Sequence, residues 1–367
     1  GQLLFYSNGV NVWNKNNVIM PNGFGLLGDG GQINTAFIIP FINDTSKFYL
    51  FTSNGLALFL SNSQSTLRYC YSIVDMQLNG GLGDVVSKNT LIQYFSTEKM
   101  VAIPNANGND IWWVCRDWTN HFYSYRITCT GFQNSNPVIS TVGNNINNDV
   151  NLLSSGDIKT SPDGKFICIS YGSYFEIYKF NTLTGILTNP ILIPFSNNTR
   201  NGCYGVEFSS NSKLLYITGV GIQNNISYGI IGQYSLTNYD STQISNSFYN
   251  LTESYSYGGL QLGPDNKIYH IDGGKAVNAI TFPNTQGVGC NFQDSVIILP
   301  NDAQRRFPYS YVNLITAQNV QIPTYTVAPD CRTVTLTGKT YIKGNNLTFK
   351  WKFGDGDSTV QIIPSGG

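Results

Sequence analysis

The stretch Asp157-Ile-Lys-Thr-Ser-Pro-Asp-Gly-Lys-Phe-Ile-Cys-Ile-Ser170 decides the fold. It reads as a short strand, a turn and a second strand. Pro162 presets φ for the turn, and Gly164 can take the left-handed conformation that closes a tight hairpin. The same shape returns as Gly205-Val-Glu-Phe-Ser-Ser-Asn-Ser-Lys-Leu-Leu-Tyr-Ile-Thr218 and as Gly259-Leu-Gln-Leu-Gly-Pro-Asp-Asn-Lys-Ile-Tyr-His-Ile271. Looser copies lie upstream at Val101–Val114 and at Ala36–Pro40 leading into Lys47–Phe51. The copies are about 50–60 residues apart, in or slightly above the ~40–50 of propeller repeats. Each continues alike: after Ser170 come Tyr174–Phe180, a Thr184-Gly185 turn and Ile186–Ile193, with no convincing amphipathic helix. Four antiparallel strands per repeat make one blade. A β-sandwich would also give short strands, but not the recurring turn. The expected fold class is therefore all-β, a β-propeller.

Five blades read as complete, at about 36–92, 100–142, 157–193, 205–251 and 258–299. Leu3–Tyr6 and Val10–Trp13 look like middle strands lacking their inner one, and Arg305–Leu314 is a lone strand. Propellers close by building one blade from both chain ends. The expectation is thus seven blades, with the lone strand as the C-terminal share of the seventh and the rest of that blade preceding Gly1. Six blades, with the lone strand completing the first, is the alternative. The propeller is placed at 1–317, a linker with Pro323 and Pro329 at 318–330, and a further module at 331–367. That module holds the strand Thr333–Thr337 and the run Leu347-Thr-Phe-Lys-Trp-Lys-Phe-Gly-Asp-Gly-Asp-Ser358.

A strand ending in Trp-x-Phe-Gly-Asp-Gly resembles the signature of polycystic-kidney-disease (PKD) domains, which are immunoglobulin-like sandwiches; about half of one is present. Leu3-Leu-Phe-Tyr-Ser-Asn-Gly-Val-Asn-Val-Trp-Asn14, Met20-Pro-Asn-Gly-Phe-Gly-Leu-Leu-Gly28 and Tyr71-Ser-Ile-Val-Asp-Met-Gln-Leu-Asn-Gly-Gly-Leu-Gly-Asp84 extend the likeness, as do Gly263–Tyr269 and Gly289-Cys-Asn-Phe292. Together they resemble large secreted surface proteins of Bacteroidota, with an N-terminal propeller, PKD modules and often a gliding-motility or type IX secretion sorting domain. The resemblance covers nearly the whole chain. It implies export through the outer membrane and display outside the cell, and it implies no known reaction. Relatives often carry a His before the Ala-Asn-Gly turn; this chain has Pro104-Asn105 there.

Composition agrees with that setting. Charged residues are 11% of the 367, against ~25% in ordinary soluble domains. Lys+Arg and Asp+Glu are 21 each, so no cationic surplus exists to displace phosphate counterions, and nucleic acid is excluded as a partner. With 41% hydrophobic and 13% aromatic residues, the chain is no acidic disordered tail. The most apolar stretch, Phe48–Leu60, is interrupted by Thr52, Ser53, Asn54 and Gly55, short of the ~18 residues a spanning helix needs. The opening Gly-Gln-Leu-Leu-Phe-Tyr reads as the middle of a strand, so the natural polypeptide is expected to begin earlier. The seven cysteines form no CxxC pair and histidines number two, so zinc is poorly supplied and no cofactor is expected. An odd thiol count leaves one unpaired, assigned to Cys331.

Candidate binding residues are Trp112, Arg116, Trp118 and Tyr123. Alternation sends Trp112 and Trp113 to opposite faces of one strand, so at least one packs between blades, whereas Trp118 lies in a turn and is expected exposed. Exposed rings suit stacking on sugars or anchoring a protein partner. Glu98-Lys99 enters a strand that could line the central channel. Asp163 and Asp265 sit in repeat turns, where Asp bonds the backbone, and Asp110, Asp117 and Asp149 flank strands or loops. His121 reads as exposed in a hairpin and His270 as core or rim. Gly28-Asp-Gly-Gly31 precedes no helix, so a phosphate loop is not formed. Asp355 and Asp357 are weak calcium candidates against a tight structural turn. No Gly-x-Ser-x-Gly elbow supports a catalytic triad. The expectation is a non-enzymatic surface protein, adhesin-like or a subunit of an assembly, that binds other surface proteins or polysaccharide. A propeller hydrolase or lyase acting on a surface polysaccharide is the alternative.

Overall fold

A computed structural model describes residues 3–30, 34–54, 67–146, 156–195, 200–224, 226–252, 258–303, 307 and 309–310, together with the strands at 320–327, 334–340, 347–352 and 358–363. The chain divides into two units, Gly1–Leu314 and Ile315–Gly367.

The first unit opens with a two-stranded ribbon, β1 (Phe5–Ser7) and β2 (Val12–Asn14). Four consecutive strands then form a meander: β3 (Ala36–Pro40), β4 (Lys47–Ser53), β5 (Arg68–Asp75) and β6 (Asp84–Tyr94). The second sheet is β7 (Ser96–Pro104), β8 (Ile111–Asp117), β9 (His121–Thr128) and β10 (Gly131–Thr141). The third is β11 (Ile158–Thr160), β12 (Phe166–Ser170), β13 (Tyr174–Asn181) and β14 (Ile186–Pro194). The fourth is β15 (Arg200–Phe208), β16 (Leu214–Gln223), β17 (Ile226–Ser235) and β18 (Tyr249–Thr252). The fifth is β19 (Gly259–Leu262), β20 (Ile268–Ile271), β21 (Ala276–Ile280) and β22 (Phe292–Ile298). Neighbouring inner strands touch in sequence order, β3 to β7, β7 to β11, β11 to β15 and β15 to β19. Successive meanders joined along their inner strands make a β-propeller. All five sheets fall where the repeat placed them.

The turn signature has a backbone cause. In the hairpins that leave β7, β11, β15 and β19, one residue takes a left-handed conformation: Gly108 (φ 76), Gly164 (φ 73), Ser212 (φ 61) and Asn266 (φ 63). Each donates its N–H to the carbonyl three residues earlier, on Asn105, Ser161, Ser209 and Gly263, at 2.8–3.0 Å. The Ser161 and Ser209 hydroxyls each accept the N–H five residues on, at 2.9 Å, which fixes the return strand.

The core lies between the sheets. Phe51, Tyr69 and Trp113 join sheets one and two; Trp112, Phe122, Ile167 and Tyr178 join two and three. Cys168, Phe175, Phe208 and Ile217 join three and four, while Tyr216, Leu260 and Ile268 join four and five. The β1–β2 ribbon packs Phe5 and Val12 against Leu50 and Val74 of the first sheet.

Among the described residues the lone strand is represented by β23 (Tyr309–Ser310), which runs parallel to β3 with Tyr309 opposite Phe37, while β1 and β2 form a sheet of their own. A six-residue helix, α1 (Ser241–Asn246), interrupts the fourth meander; Asp240 caps it by accepting the Gln243 N–H at 2.9 Å, and Ile244 is its buried residue. Among the described residues no helix is long and apolar enough to cross a membrane.

In the second unit β24 (Val320–Val327) pairs antiparallel with β25 (Val334–Thr340), and β26 (Leu347–Lys352) with β27 (Ser358–Ile363). The stretch read as a linker therefore carries a strand, since the β-branched Val320, Ile322, Thr324 and Thr326 at alternate positions outweigh Pro323. Asp149, Cys331, Asp355 and Asp357 lie outside the described residues.

Candidate functional site

The tryptophan-rich strand β8 is interior. Trp113 stacks on Phe51 of the first sheet with centroids 4.5 Å apart, and Trp112 turns to the third sheet, donating its Nε1–H to the Thr182 carbonyl at 2.8 Å. Trp118 corrects the expectation of an exposed turn residue: it is 8% exposed, bonds the Ser96 carbonyl through Nε1 at 3.0 Å and meets Phe95 edge-on. Ser96 pairs with Asp117 across the ladder, so the turn after β8 folds beside the start of β7 and covers the ring. Arg116 is fully buried; its Nη2 donates to the carbonyls of Thr119 and Asn144, and its Nη1 lies 3.7 Å from Glu176 Oε2. Tyr123 is half-buried and donates to Asp117 Oδ2 at 3.1 Å; burial, then the Asp117 charge, pushes its phenol up to about 12. The same carboxylate sits 3.1 Å from His121 Nδ1, orienting an imidazole that is partly exposed as expected. These four residues do not form one open aromatic surface.

Charge collects instead at the inner strands. Lys99 on β7 is 0% exposed and donates Nζ to the Gly156 carbonyl at 2.5 Å. Burial pushes its ammonium pKa down, with Glu98 and Asp157 opposing. Lys159 on β11 donates to Gln261 Oε1 on β19 at 2.9 Å and lies 3.4 Å from Glu207 Oε2 on β15, a clasp across three sheets. Glu207 also accepts the N–H groups of Phe208 and Leu262, both at 2.9 Å. Burial pushes its carboxyl up, while Lys159 and those donors pull the other way. Between sheets two and three, Glu176 accepts the Asn144 N–H at 2.9 Å and the Tyr178 hydroxyl as well as facing Arg116. The Arg116 guanidinium lies 5.2 Å from the Phe122 ring and 5.1 Å from the Tyr171 ring. Chemically, these groups hold neighbouring sheets together: Glu176 and Glu207 accept from protein donors, and neither faces solvent.

Other residues singled out in the sequence have local partners. Asp163 and Asp265 accept the N–H two residues on, closing their turns. His270 is fully buried against Asn278, 3.2 Å from its Nδ2. Cys168 is a buried small side chain, and the six described cysteines are all free thiols.

One cleft of about 350 Å³ opens between the fourth and fifth sheets on their outer side. Tyr249, Leu251 and Thr252 of β18 form one wall; Asn291, Phe292 and Asp294 form the other. A bulge shapes the second wall. Gln293 pairs with Ala279 and Ile297 with Val277, so Asp294, Ser295 and Val296 loop out of the ladder. Asn291 and Ser295 both sit at φ 54, and the Ser295 N–H is held by Asn278 Oδ1 at 2.9 Å. Sequence reading missed this site. Its one signal was Gly289-Cys-Asn-Phe292, singled out for resemblance without a role.

No family model and no curated protein matches the chain. Among solved structures, the chain is similar to hydrazine synthase of Kuenenia stuttgartiensis at 12% identity and TM-score 0.49, over 92% of this chain and 93% of that one. It is similar to a putative 6-phosphogluconolactonase of Bacteroides fragilis at 12% identity and TM-score 0.45, over 99% and 94%. The Dos1 propeller matches at 10% identity and TM-score 0.42, over 92% and 74%. At such identities a likeness concerns fold and carries no activity across. The strand order itself makes the first unit a β-propeller.

Proposed function

We propose that this chain is a non-enzymatic binding and scaffolding protein of the cell surface or extracellular space. The propeller is the interaction platform, read as seven-bladed with six blades as the alternative. The C-terminal unit, read as the start of a PKD-type immunoglobulin-like module, acts as a spacer. Its partners are other surface proteins or polysaccharide. The Bacteroidota-like motifs support display outside the cell by way of the outer membrane.

One observation carries the reading: charge is buried on the inner strands and sparse on the outer ones. On the inner strands Lys159 faces Glu207 across sheets and Glu98 and Lys99 are buried, whereas the outer strands β10, β14 and β18 contain no charged residue, β22 only Asp294 and β6 only Asp84 and Lys88. Apolar side chains stand exposed on those outer strands, among them Ile139, Ile186, Ile297 and Ile298. Neutral, partly apolar rims can lie against a partner without desolvating ions. The test is a map of the native particle with every neighbouring density traced. Repeated protein or glycan density on the outer strands is the expected result. A solitary propeller with a metal or reacting acids converging in its channel overturns the proposal in favour of glycan hydrolysis or lysis.

A further inference from the structure

The cleft between β18 and the bulged start of β22 has the chemistry of a neutral saccharide site, and we infer that it binds one or two sugar rings of a surface or matrix glycan. The inference rests on the scaffold reading above and names its ligand class. The volume of about 350 Å³ lies within the ~300–1,000 Å³ of small-ligand sites. Two aromatic side chains face it, Tyr249, which is 40% exposed, and Phe292, half-buried. The C–H face of a pyranose packs on such rings, while its hydroxyls need acceptors and donors at the edge. Those groups are present as Asp294, Asn291 and Thr252. No Lys, Arg or His lines the cleft, which argues against phosphates, carboxylates and other anions as occupants.

The backbone is bent to build this wall. The bulge lifts Asp294 out of the ladder, and non-glycine residues in left-handed conformations bracket it at Asn291 and Ser295. Such conformations persist where surrounding bonds hold them, and they gather at ligand clamps. Here the hold comes from Asn278 on the Ser295 N–H and from Thr281, whose Oγ1 accepts from Asn291 Nδ2 at 2.8 Å. The bulge thereby sets Asp294 in the lining of the cleft beside Phe292, where its carboxylate can accept from the hydroxyls of a sugar.

The test is ligand-observed saturation-transfer NMR on the full chain with maltose, cellobiose, lactose and N,N′-diacetylchitobiose. At least one should receive saturation. Tyr249→Ala and Asp294→Asn should each weaken its binding about tenfold or more, the loss expected of a central contact, while Tyr249→Phe keeps it. Thermal unfolding of the variants controls for folding; should Tyr249→Ala not fold, Asp294→Asn at the exposed bulge carries the test. Silence from all four sugars overturns the inference, as does binding that neither substitution changes. New anomeric signals from a sugar consumed during the titration overturn the non-enzymatic reading instead, and sensitivity to both substitutions would leave the cleft assignment standing.

Discussion

The inner strands β7, β11 and β15 and the outer strands β10, β14 and β18 belong to the same three sheets, yet they distribute charge in opposite ways. The inner ones bury Glu98, Lys99, Lys159 and Glu207, residue types that go fully inside only when paired. The outer ones meet solvent with Asn, Ser, Thr, Gln and aliphatic side chains and carry no ion at all. Edge strands are usually protected from stray pairing by lysines. Here the protection is conformational: Pro137 in β10, Pro190 and Pro194 in β14, and a register break between each outer strand and its neighbour. The buried ions Lys159 and Glu207 therefore serve cohesion between sheets, and these three outer strands are left free for neutral contact.

The largest expected effect extends the contrast one step outward, to the buried ion pair between β8 and β13. Arg116→Ala leaves Glu176 buried without its cation and should cost about 3–5 kcal/mol in urea unfolding. A loss below 1 kcal/mol would show that the pair does not join the sheets.

A second test follows stability against pH. Glu207's carboxyl is raised above 4.5 in the fold, so the native state holds the proton more tightly than the unfolded chain. The contribution is fully present below 4.5 and is lost as pH rises through the folded value. Relative to Glu207→Gln, the natural chain should therefore gain stability on acidification through that window. Parallel pH profiles would show that the clasp carries no titrating charge.

Gly164→Ala, at φ 73 with Thr182 Cγ2 only 2.9 Å from the new Cβ, should cost about 1 kcal/mol or somewhat more. Its readout is the midpoint of chemical unfolding. The smallest stability effect belongs to the rim. Ile139→Lys, at a position 56% exposed, should change stability by less than about 0.5 kcal/mol while reducing occupancy of partners on that edge. A large stability loss there would mean that the outer strand is part of the core.

What was legible in the sequence is what local chemistry dictates. Ser161-Pro162-Asp163-Gly164 and its counterparts form their turns through bonds within six residues, so the hairpins and the five sheets could be placed from the chain alone. Trp118 was misplaced because a turn residue is exposed only if nothing folds over it, and the contact with Ser96 and Phe95 spans more than twenty positions. The Lys159–Glu207–Gln261 clasp needs three sheets assembled before its members meet. The cleft is harder still. Its walls are about forty residues apart, and its shape depends on a bulge that leaves no mark in hydrophobic alternation.

The uncharged outer strands β10, β14 and β18 also set a tempo. A partner approaching β10, β14 or β18 feels no ionic guidance, so encounter should proceed at the unsteered ~10⁵–10⁶ M⁻¹s⁻¹ and show little change between fresh water and brine.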